Sequence, residues 1–213
     1  MLMRYFLARD IREEDFQEIR RLLIQGEVIG FPTETVYGLG VDWKNDAAIE
    51  KLFNLKNRPA NNPMTLHVSS TLVVKELAVE IPPSFYELAS IFWPGPLTIV
   101  LKKAPCISSK ISRGETVGVR MPKQELALLL IEKMGGILLG TSANLSGKPP
   151  ASSAEEVGLV FAGKIAALID GGVVFCNKAS TVISLAEDPP RLFREGPISK
   201  ERIEKILGKK IQR

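Results

Sequence analysis

Apolar residues recur at helical spacing in several stretches of this 213-residue chain, and short apolar runs lie between those stretches. The first clear helix covers residues 13–25, where Phe16, Ile19 and Leu22 fall on one face and Gly26 follows as a stop. The run at residues 28–31 instead has the length of a buried strand. This alternation sets the pattern for the chain.

The same criteria predict the other elements. Strands are predicted at residues 3–8, 64–68, 97–101, 116–121, 137–139, 166–170, 180–185 and 191–194. Helices are predicted at residues 72–79, 84–92, 123–134 and 153–161. Two further helices are predicted to follow N-terminal caps at Asp46 and at Ser199. Strands that alternate with helices predict an α/β (α+β) fold with a mixed sheet, formed as one domain over residues 1–213.

The composition agrees with an ordinary globular protein, since 45% of residues are hydrophobic and 24% are charged. No apolar run approaches the roughly 20 residues that a membrane-spanning helix needs. The N-terminal segment soon turns charged and has no apolar core typical of a signal peptide, so we expect a cytoplasmic protein with no membrane contact. Cys106 and Cys176 lie far apart without a second Cys or His at metal spacing, which predicts neither a disulfide framework nor a protein-held metal site.

The formal charge of +4 is concentrated at the C-terminus. Residues 200–213 contain six basic and two acidic residues, so the preceding part of the chain is neutral overall. A basic terminal helix is usually a solvated face, and a weak contact with RNA is the functional alternative.

Polar side chains follow several of the predicted strands. In the stretch FPTETVYGLG, Pro32 is expected to end a strand, and Thr33, Glu34 and Thr35 follow it in a loop. Ligands of open α/β sheets bind at the carboxyl ends of strands. The stretch is therefore either a ligand-binding loop or a threonine-rich connection that only caps the strand.

Hydroxyl, amide and cationic groups recur at the later strand ends. These residues are Lys56, Arg58, His67, Thr116, Arg120, Ser142, Asn144, Ser180 and Arg194. Several cations in such loops suit a polyanion such as a nucleoside triphosphate, although the set also fits a scatter of unrelated surface residues. Phosphoryl transfer depends mainly on positioning and charge stabilisation, so a site without a conspicuous nucleophile is no obstacle. No P-loop, dinucleotide fingerprint or nucleophile elbow is present.

Six segments together resemble one family. They are FPTETVYGLG, the KNRP step at residues 56–59, WPGPLT, VGVRMP, TSANLSGKP, and the STV step at residues 180–182 ahead of Arg194. In this order they resemble the YrdC-type threonylcarbamoyl-AMP synthases, and the match covers nearly the entire chain.

The resemblance implies an open, strongly twisted mixed sheet flanked by helices, with a deep basic groove. It also implies condensation of L-threonine, bicarbonate and ATP to threonylcarbamoyl-AMP and pyrophosphate, with Mg²⁺ on the phosphates. The product would serve threonylcarbamoyladenosine formation at position 37 of tRNA through a downstream transferase. The chain resembles the single-domain form of the family, so no additional C-terminal domain is expected.

The resemblance also implies residue roles. The expected catalytic residues are Lys56, Arg58, Ser142 and Asn144. The expected threonine ligands are Thr35, His67, Arg120, Ser142 and Ser180. The expected ATP ligands are Lys56, Arg58, Asn62, Thr116, Asn144, Ser152 and Arg194. Thr33 and Tyr37 would shape the groove, and residues 59–63 are the candidate lid.

Two positions depart from the family pattern. Asn57 stands where the family usually has glycine, although asparagine tolerates positive φ better than other residues with a side chain. Ser152 ends a Pro-Ala-Ser step where the family often has Ser-Pro-Thr. These departures leave open a paralogue that binds nucleotide or RNA without appreciable synthase activity. A double-stranded RNA binding or ribosome-assembly factor is a third reading, and the neutral charge of residues 1–198 argues against it.

Overall fold

A computed structural model describes residues 2–59, 62–176 and 178–213 of the chain. The strands are β1 (Arg4–Leu7), β2 (Ile29–Phe31), β3 (Gly38–Val41), β4 (Thr65–Val68), β5 (Leu97–Lys102), β6 (Thr116–Arg120), β7 (Ile137–Ser142), β8 (Ala167–Asp170), β9 (Thr181–Ser184) and β10 (Arg191–Arg194). The helices are α1 (Glu13–Ile24), α2 (Asp46–Leu55), α3 (Val74–Leu77), α4 (Pro83–Phe92), α5 (Glu125–Lys133), α6 (Ala154–Phe161) and α7 (Lys200–Leu207).

The strands form one twisted sheet in the order β1-β8-β2-β3-β7-β4-β6-β5-β9-β10. The sheet contains parallel pairs such as β4 with β6 and antiparallel pairs such as β3 with β7. The predicted mixed α/β architecture is therefore confirmed.

The sheet buries apolar side chains on both faces. On one face, Ile29, Phe31 and Leu138 pack against residues of α1 and α5 such as Ile19 and Leu130. The larger cluster covers the other face with α2, α4, α6 and α7. Fully burying one such aliphatic or aromatic side chain stabilises the fold by about 1.5–3 kcal/mol.

Three predicted boundaries are wrong in informative ways. Residues 38–41 form strand β3 rather than part of a loop. The glycines of this strand serve packing, since a Cβ on Gly38 would lie 3.0 Å from Cζ of the Phe31 ring. Strand β7 continues to Ser142 instead of ending at residue 139. The N-terminal cap of α2 is Asn45 rather than Asp46, because the Asn45 side chain accepts a hydrogen bond from Ala48 N at 3.1 Å.

None of the helices in the described ranges has both the length and the apolar character to cross a membrane.

Candidate functional site

The predicted strand-end residues meet around one cavity. The cavity opens to solvent and has about 620 Å³ of empty space. Its cationic and imidazole side chains are Arg58, His67, Arg120 and Arg194. Its predicted hydroxyl-bearing residues are Thr33, Thr35, Tyr37, Ser142 and Ser180. Residues that lie up to 161 positions apart in sequence therefore surround a single space.

The loop between β2 and β3 is held by Thr33. Its Oγ1 donates to Val36 O at 2.6 Å and accepts from the backbone N–H groups of Thr35 and Val36, each at 3.2 Å. Oγ1 of Thr33 also lies 2.9 Å from Oγ1 of Thr35. This local bonding is typical of a Ser/Thr turn. Thr33 therefore fixes the conformation of the loop, and Thr35 of the same loop lines the cavity.

Arg120 lies at the end of β6 with its guanidinium held on several sides. Nη2 donates to Thr35 Oγ1 at 2.9 Å, and Nε donates to Gly95 O at 3.3 Å. Nη2 also lies 2.8 Å from Glu34 Oε2, in an ion pair that lacks hydrogen-bond geometry. The residue is only 6% exposed, so a buried guanidinium faces the cavity in a fixed orientation.

His67 is buried beside Arg120 in the neighbouring strand. The two residues are register partners in the β4–β6 pair, and the His67 ring packs edge-on against Phe31 at 6.1 Å between centroids. Burial, reinforced by the Arg120 charge, lowers the pKa of His67 to about 3. Its Nδ1 has no hydrogen-bond partner among the described residues. His67 is therefore a neutral imidazole that lines the cavity, and its unpartnered Nδ1 is itself buried.

Ser180 and Arg194 meet at the end of the sheet formed by β9 and β10. Arg194 donates from Nε to Ser180 O at 2.9 Å and from Nη2 to Ser180 Oγ at 3.2 Å. Ser180 Oγ also lies 2.8 Å from Thr98 Oγ1. Burial of the guanidinium and the charge of Arg120 lower the pKa of Arg194.

Arg58 enters the cavity from the segment that follows α2. Its Nε donates to Asn62 O at 2.9 Å, and its Nη2 donates to Asn62 Oδ1 at 3.0 Å and to Pro63 O at 2.7 Å. Burial, together with the nearby Arg194, lowers the pKa of Arg58. The mutual repulsion of these guanidinium groups favours an anion between them.

The turn that delivers Arg58 depends on Asn57. Asn57 has a φ of 49°, in the left-handed region where asparagine substitutes for glycine most readily. Asn57 therefore adopts a backbone conformation that glycine adopts most readily. The candidate lid includes residues 60 and 61, which lie outside the described residues, so the lid stays a prediction.

Lys56 is placed differently from Arg58. It is 1% exposed, and its Nζ donates to Ser142 O, to Asn144 O at 2.6 Å and to Asn144 Oδ1 at 3.2 Å. Burial, reinforced by the Arg58 charge, lowers the pKa of Lys56 to about 7. Lys56 lies behind the cavity wall rather than among the lining residues.

Asn144 and Ser152 line a second cavity with about 740 Å³ of empty space. This cavity adjoins the first, because Ser142 Oγ in the first donates to Asn144 Oδ1 at 2.6 Å. Ser152 Oγ lies 3.1 Å from Glu156 Oε2, which also accepts from Ser152 N at 2.7 Å. Of the predicted nucleotide ligands, Arg58 and Arg194 line the first cavity, whereas Asn144 and Ser152 line the second.

Thr116 and Asn62 do not line the first cavity. Thr116 lies on the same face of β6 as Arg120, with Gly118 between them. Asn62 orients Arg58 through the contacts given above. Neither residue is part of the cavity wall, and the nucleotide contacts of both stay predictions.

Tyr37 connects the cavity to the loop after β8. Its hydroxyl donates to Gly172 O at 2.8 Å and accepts from Gly171 N at 3.0 Å. Burial, reinforced by Asp170, raises the pKa of Tyr37 to about 12. The hydroxyl is therefore a fixed hydrogen-bonding group rather than an acid near neutral pH.

Sequence reasoning missed three contributors to the site. Gly95 supplies its carbonyl to Arg120, Thr98 pairs with Ser180, and Glu34 forms the ion pair with Arg120. Gly95 and Thr98 lie in the WPGPLT segment, from which no site residue was predicted. Glu34 lies in the FPTETVYGLG stretch and had no predicted role.

The described residues do not offer a protein-held metal site. No group of three or more His, Cys, Asp or Glu side chains among them could hold a metal ion. Any magnesium at this site would depend on phosphate oxygens and water for its ligands.

The basic C-terminal segment is partly neutralised by local carboxylates. Lys200 lies 3.7 Å from Glu204, Lys209 lies 2.6 Å from Asp188, and Arg213 lies 3.5 Å from Glu195, measured between the charged atoms. The contact with RNA stays a prediction.

Comparisons with known proteins concern the family and the fold of the chain. The family model Sua5/YciO/YrdC, described as telomere recombination, matches residues 21–196. The chain is 46% identical to a threonylcarbamoyl-AMP synthase of Pyrococcus abyssi over 86% of this chain and 54% of the relative. It is 43% identical to a threonylcarbamoyl-AMP synthase of Bacillus subtilis over 88% of this chain and 55% of the relative. The chain thus spans about half the length of these curated relatives.

A solved structure of Pyrococcus abyssi Sua5 complexed with L-threonine has a similar fold. The TM-score is 0.94 at 42% sequence identity, and the similarity covers 100% of this chain and 63% of the other.

Proposed function

This chain belongs to the Sua5/YciO/YrdC family, and we propose from that premise that it is an L-threonylcarbamoyladenylate synthase. It would condense L-threonine, bicarbonate and ATP to threonylcarbamoyl-AMP and pyrophosphate, as a nucleotidyltransferase. The observation that carries the proposal is the arrangement of three arginines, a neutral imidazole and several hydroxyls around one cavity. The threonine complex of the Pyrococcus abyssi relative supports the choice of amino acid.

The amino acid would bind at the Arg120 end of the cavity. The guanidinium, fixed by Thr35 and Glu34, suits the α-carboxylate, because a planar fork of donors matches a carboxylate. The neutral imidazole of His67 lines the same cavity and would contact the amino acid without titrating. Ser180 would complete this end of the site.

The triphosphate would lie between Arg58 and Arg194. Both guanidiniums line the cavity, and burial, reinforced by repulsion from a neighbouring guanidinium, lowers the pKa of each. An anionic ligand relieves this repulsion. Asn144 and Ser152, which line the adjoining cavity, would then hold the remainder of the nucleotide.

The proposed reaction has two steps. The threonine amine first forms a C–N bond to the carbon of bicarbonate, with release of water, or of carbon dioxide, with loss of a proton, and gives a carbamate. A carbamate oxygen then attacks the α-phosphate of ATP, a new P–O bond forms, the bond to the β-phosphate bridging oxygen breaks, and pyrophosphate leaves. Arg58 would stabilise the charge that develops on the phosphates. Mg²⁺ would neutralise the phosphates as part of the substrate, and no protein group is assigned to hold it.

The test follows pyrophosphate release from the purified chain with L-threonine, bicarbonate and Mg-ATP, and then with each component omitted. Release that requires both threonine and bicarbonate supports the synthase. Measurable ATP binding without threonine-dependent release would instead support the paralogue that lacks activity. The product would feed threonylcarbamoyladenosine formation on tRNA through a separate transferase.

Arg58→Ala is the corresponding variant. We expect it to abolish release, with a cost of roughly 3–4 kcal/mol in transition-state stabilisation if Arg58 is an enclosed phosphate clamp. Arg113→Ala is the matched control, since Arg113 is exposed and does not line the cavity. Near-normal turnover of the Arg58 variant would remove that role.

A further inference from the structure

The ammonium group of Lys56 is enclosed by oxygen atoms of the protein. The residue is 1% exposed, and Nζ contacts Ser142 O, Asn144 O and Asn144 Oδ1. A lysine ammonium has three donors and no acceptor, so these contacts use its full donor capacity. No donor of Lys56 is left for a phosphate oxygen.

The three acceptors also explain how a cation persists at a buried position. Desolvation lowers the pKa of Lys56 to about 7, whereas three oxygens within hydrogen-bonding reach favour the charged form. A neutral amine has only two N–H donors, so the arrangement fits the ammonium. The charge is thereby directed onto the backbone of the 142–146 segment and away from the cavity.

A second contact ties the same two segments together. Lys56 O accepts a hydrogen bond from Ser146 N at 2.9 Å. The end of α2 is therefore joined to the 142–146 segment through both the side chain and the backbone of one residue. Removal of the ammonium would leave the oxygens of Ser142 and Asn144 that it contacts without this donor, which destabilises the arrangement.

These contacts determine the orientation of the Asn144 side chain. Its Oδ1 accepts from Lys56 and from Ser142 Oγ, and its Nδ2 donates to Leu145 O at 3.0 Å and Lys148 O at 2.6 Å. Lys56 thus controls where the Ser142 and Asn144 side chains stand at the boundary of the two cavities.

We propose that Lys56 is a positioning residue that fixes Ser142 and Asn144, and that it makes no contact with the triphosphate. The phosphate contacts then fall to Arg58 and Arg194. As far as it concerns the nucleotide, this proposal rests on the proposed function.

The first experiment compares Lys56→Met with Arg58→Met. Affinities for ATP and AMP are measured by calorimetry for both variants and the wild-type chain. We expect Lys56→Met to weaken both nucleotides alike, so the ATP-to-AMP affinity ratio stays within about twofold of wild type. Arg58→Met should lower that ratio at least about tenfold, because charge-assisted hydrogen bonds to phosphate are lost. A matching fall of the ratio in Lys56→Met would overturn the proposal.

Turnover separates positioning from simple structural support. At saturating substrates, and at a temperature where both proteins are folded, we expect Lys56→Met to lower kcat for pyrophosphate release at least about tenfold. A lysine that only stabilised the fold would lower Tm and leave kcat unchanged. An unchanged kcat would therefore contradict the positioning role.

A measurement on the wild-type chain covers the case in which the variant does not fold. Lysine acetylation is quantified by mass spectrometry with and without ATP, with exposed Lys123 as the reference. We expect Lys56 to be unreactive in both conditions. Reaction without ATP followed by protection with ATP is the behaviour of a phosphate ligand and would overturn the proposal. A wild-type chain that binds no ATP would instead refute the proposed function. In that case acetylation of Lys56 without nucleotide would still contradict its enclosure by the protein.

Discussion

Acidification should destabilise this protein through His67, the one histidine of the chain. In the folded state the buried imidazole beside Arg120 has a pKa of about 3, against 6.5 for an unperturbed histidine. Between these two values the unfolded chain binds a proton that the folded chain does not. The free energy of unfolding therefore falls as the pH drops from 6.5 towards 3.

The magnitude follows from the size of the pKa shift. One pH unit inside the window corresponds to about 1.36 kcal/mol, so acidification from pH 7 to pH 4 should remove roughly 3 kcal/mol through this group alone. Carboxylates titrate in the same range, and the comparison with His67→Gln separates their contribution. Urea denaturation at pH 7, 6, 5 and 4 gives the unfolding free energy of both proteins.

The variant should lose less stability than the wild-type chain on acidification, by about 3 kcal/mol at pH 4. Thr98→Val is the control, because it removes a buried polar contact to Ser180 without removing a titrating group. Its profile should run parallel to that of the wild type. Parallel profiles for the wild type and His67→Gln would refute the reasoning that burial keeps this imidazole neutral.

Substitutions at two positions, Asn57 and Thr33, test the local backbone. Asn57→Gly should retain or raise the thermal stability. Asn57→Val should lower the unfolding free energy by about 1–2 kcal/mol, because a β-branched residue is strained at a φ of 49°. Equal stability of the Gly and Val variants would contradict this. Thr33→Val should cost about 1–3 kcal/mol in chemical denaturation, because Val36 N and Val36 O lose their shared partner, and Thr33→Ser should restore most of the loss.

The alternation of apolar runs predicted most of the fold, because the period of burial is imposed by strands and helices themselves. The prediction from apolar runs failed at residues 38–41, where two glycines stand at positions that are usually apolar in a buried strand. Those glycines leave room for Phe31 and Leu138, and a Cβ on Gly40 would lie 2.9 Å from Leu138 Cδ2. Such packing depends on a partner that is distant in sequence, so local propensity does not reveal it.

The sequence predicted which cationic residues lie near the candidate site better than it predicted which of them face the cavity. Arg58, Arg120 and Arg194 were predicted as cations at strand ends, and the structure brings them to one cavity. Lys56 belongs to the same sequence step as Arg58 but points into the protein, since the end of α2 turns between them. Which of two neighbouring cations faces a cavity depends on that turn and on the later 142–146 segment.

The proposal that this chain is a threonylcarbamoyl-AMP synthase is tested most directly by identifying its product. The purified chain is incubated with L-threonine, Mg-ATP and ¹³C-labelled bicarbonate, and the quenched reaction is examined by mass spectrometry. The account predicts an adenylate that contains threonine and one ¹³C atom, formed with an equal amount of pyrophosphate. Pyrophosphate or AMP formed without that conjugate, or a conjugate without the label, would contradict it.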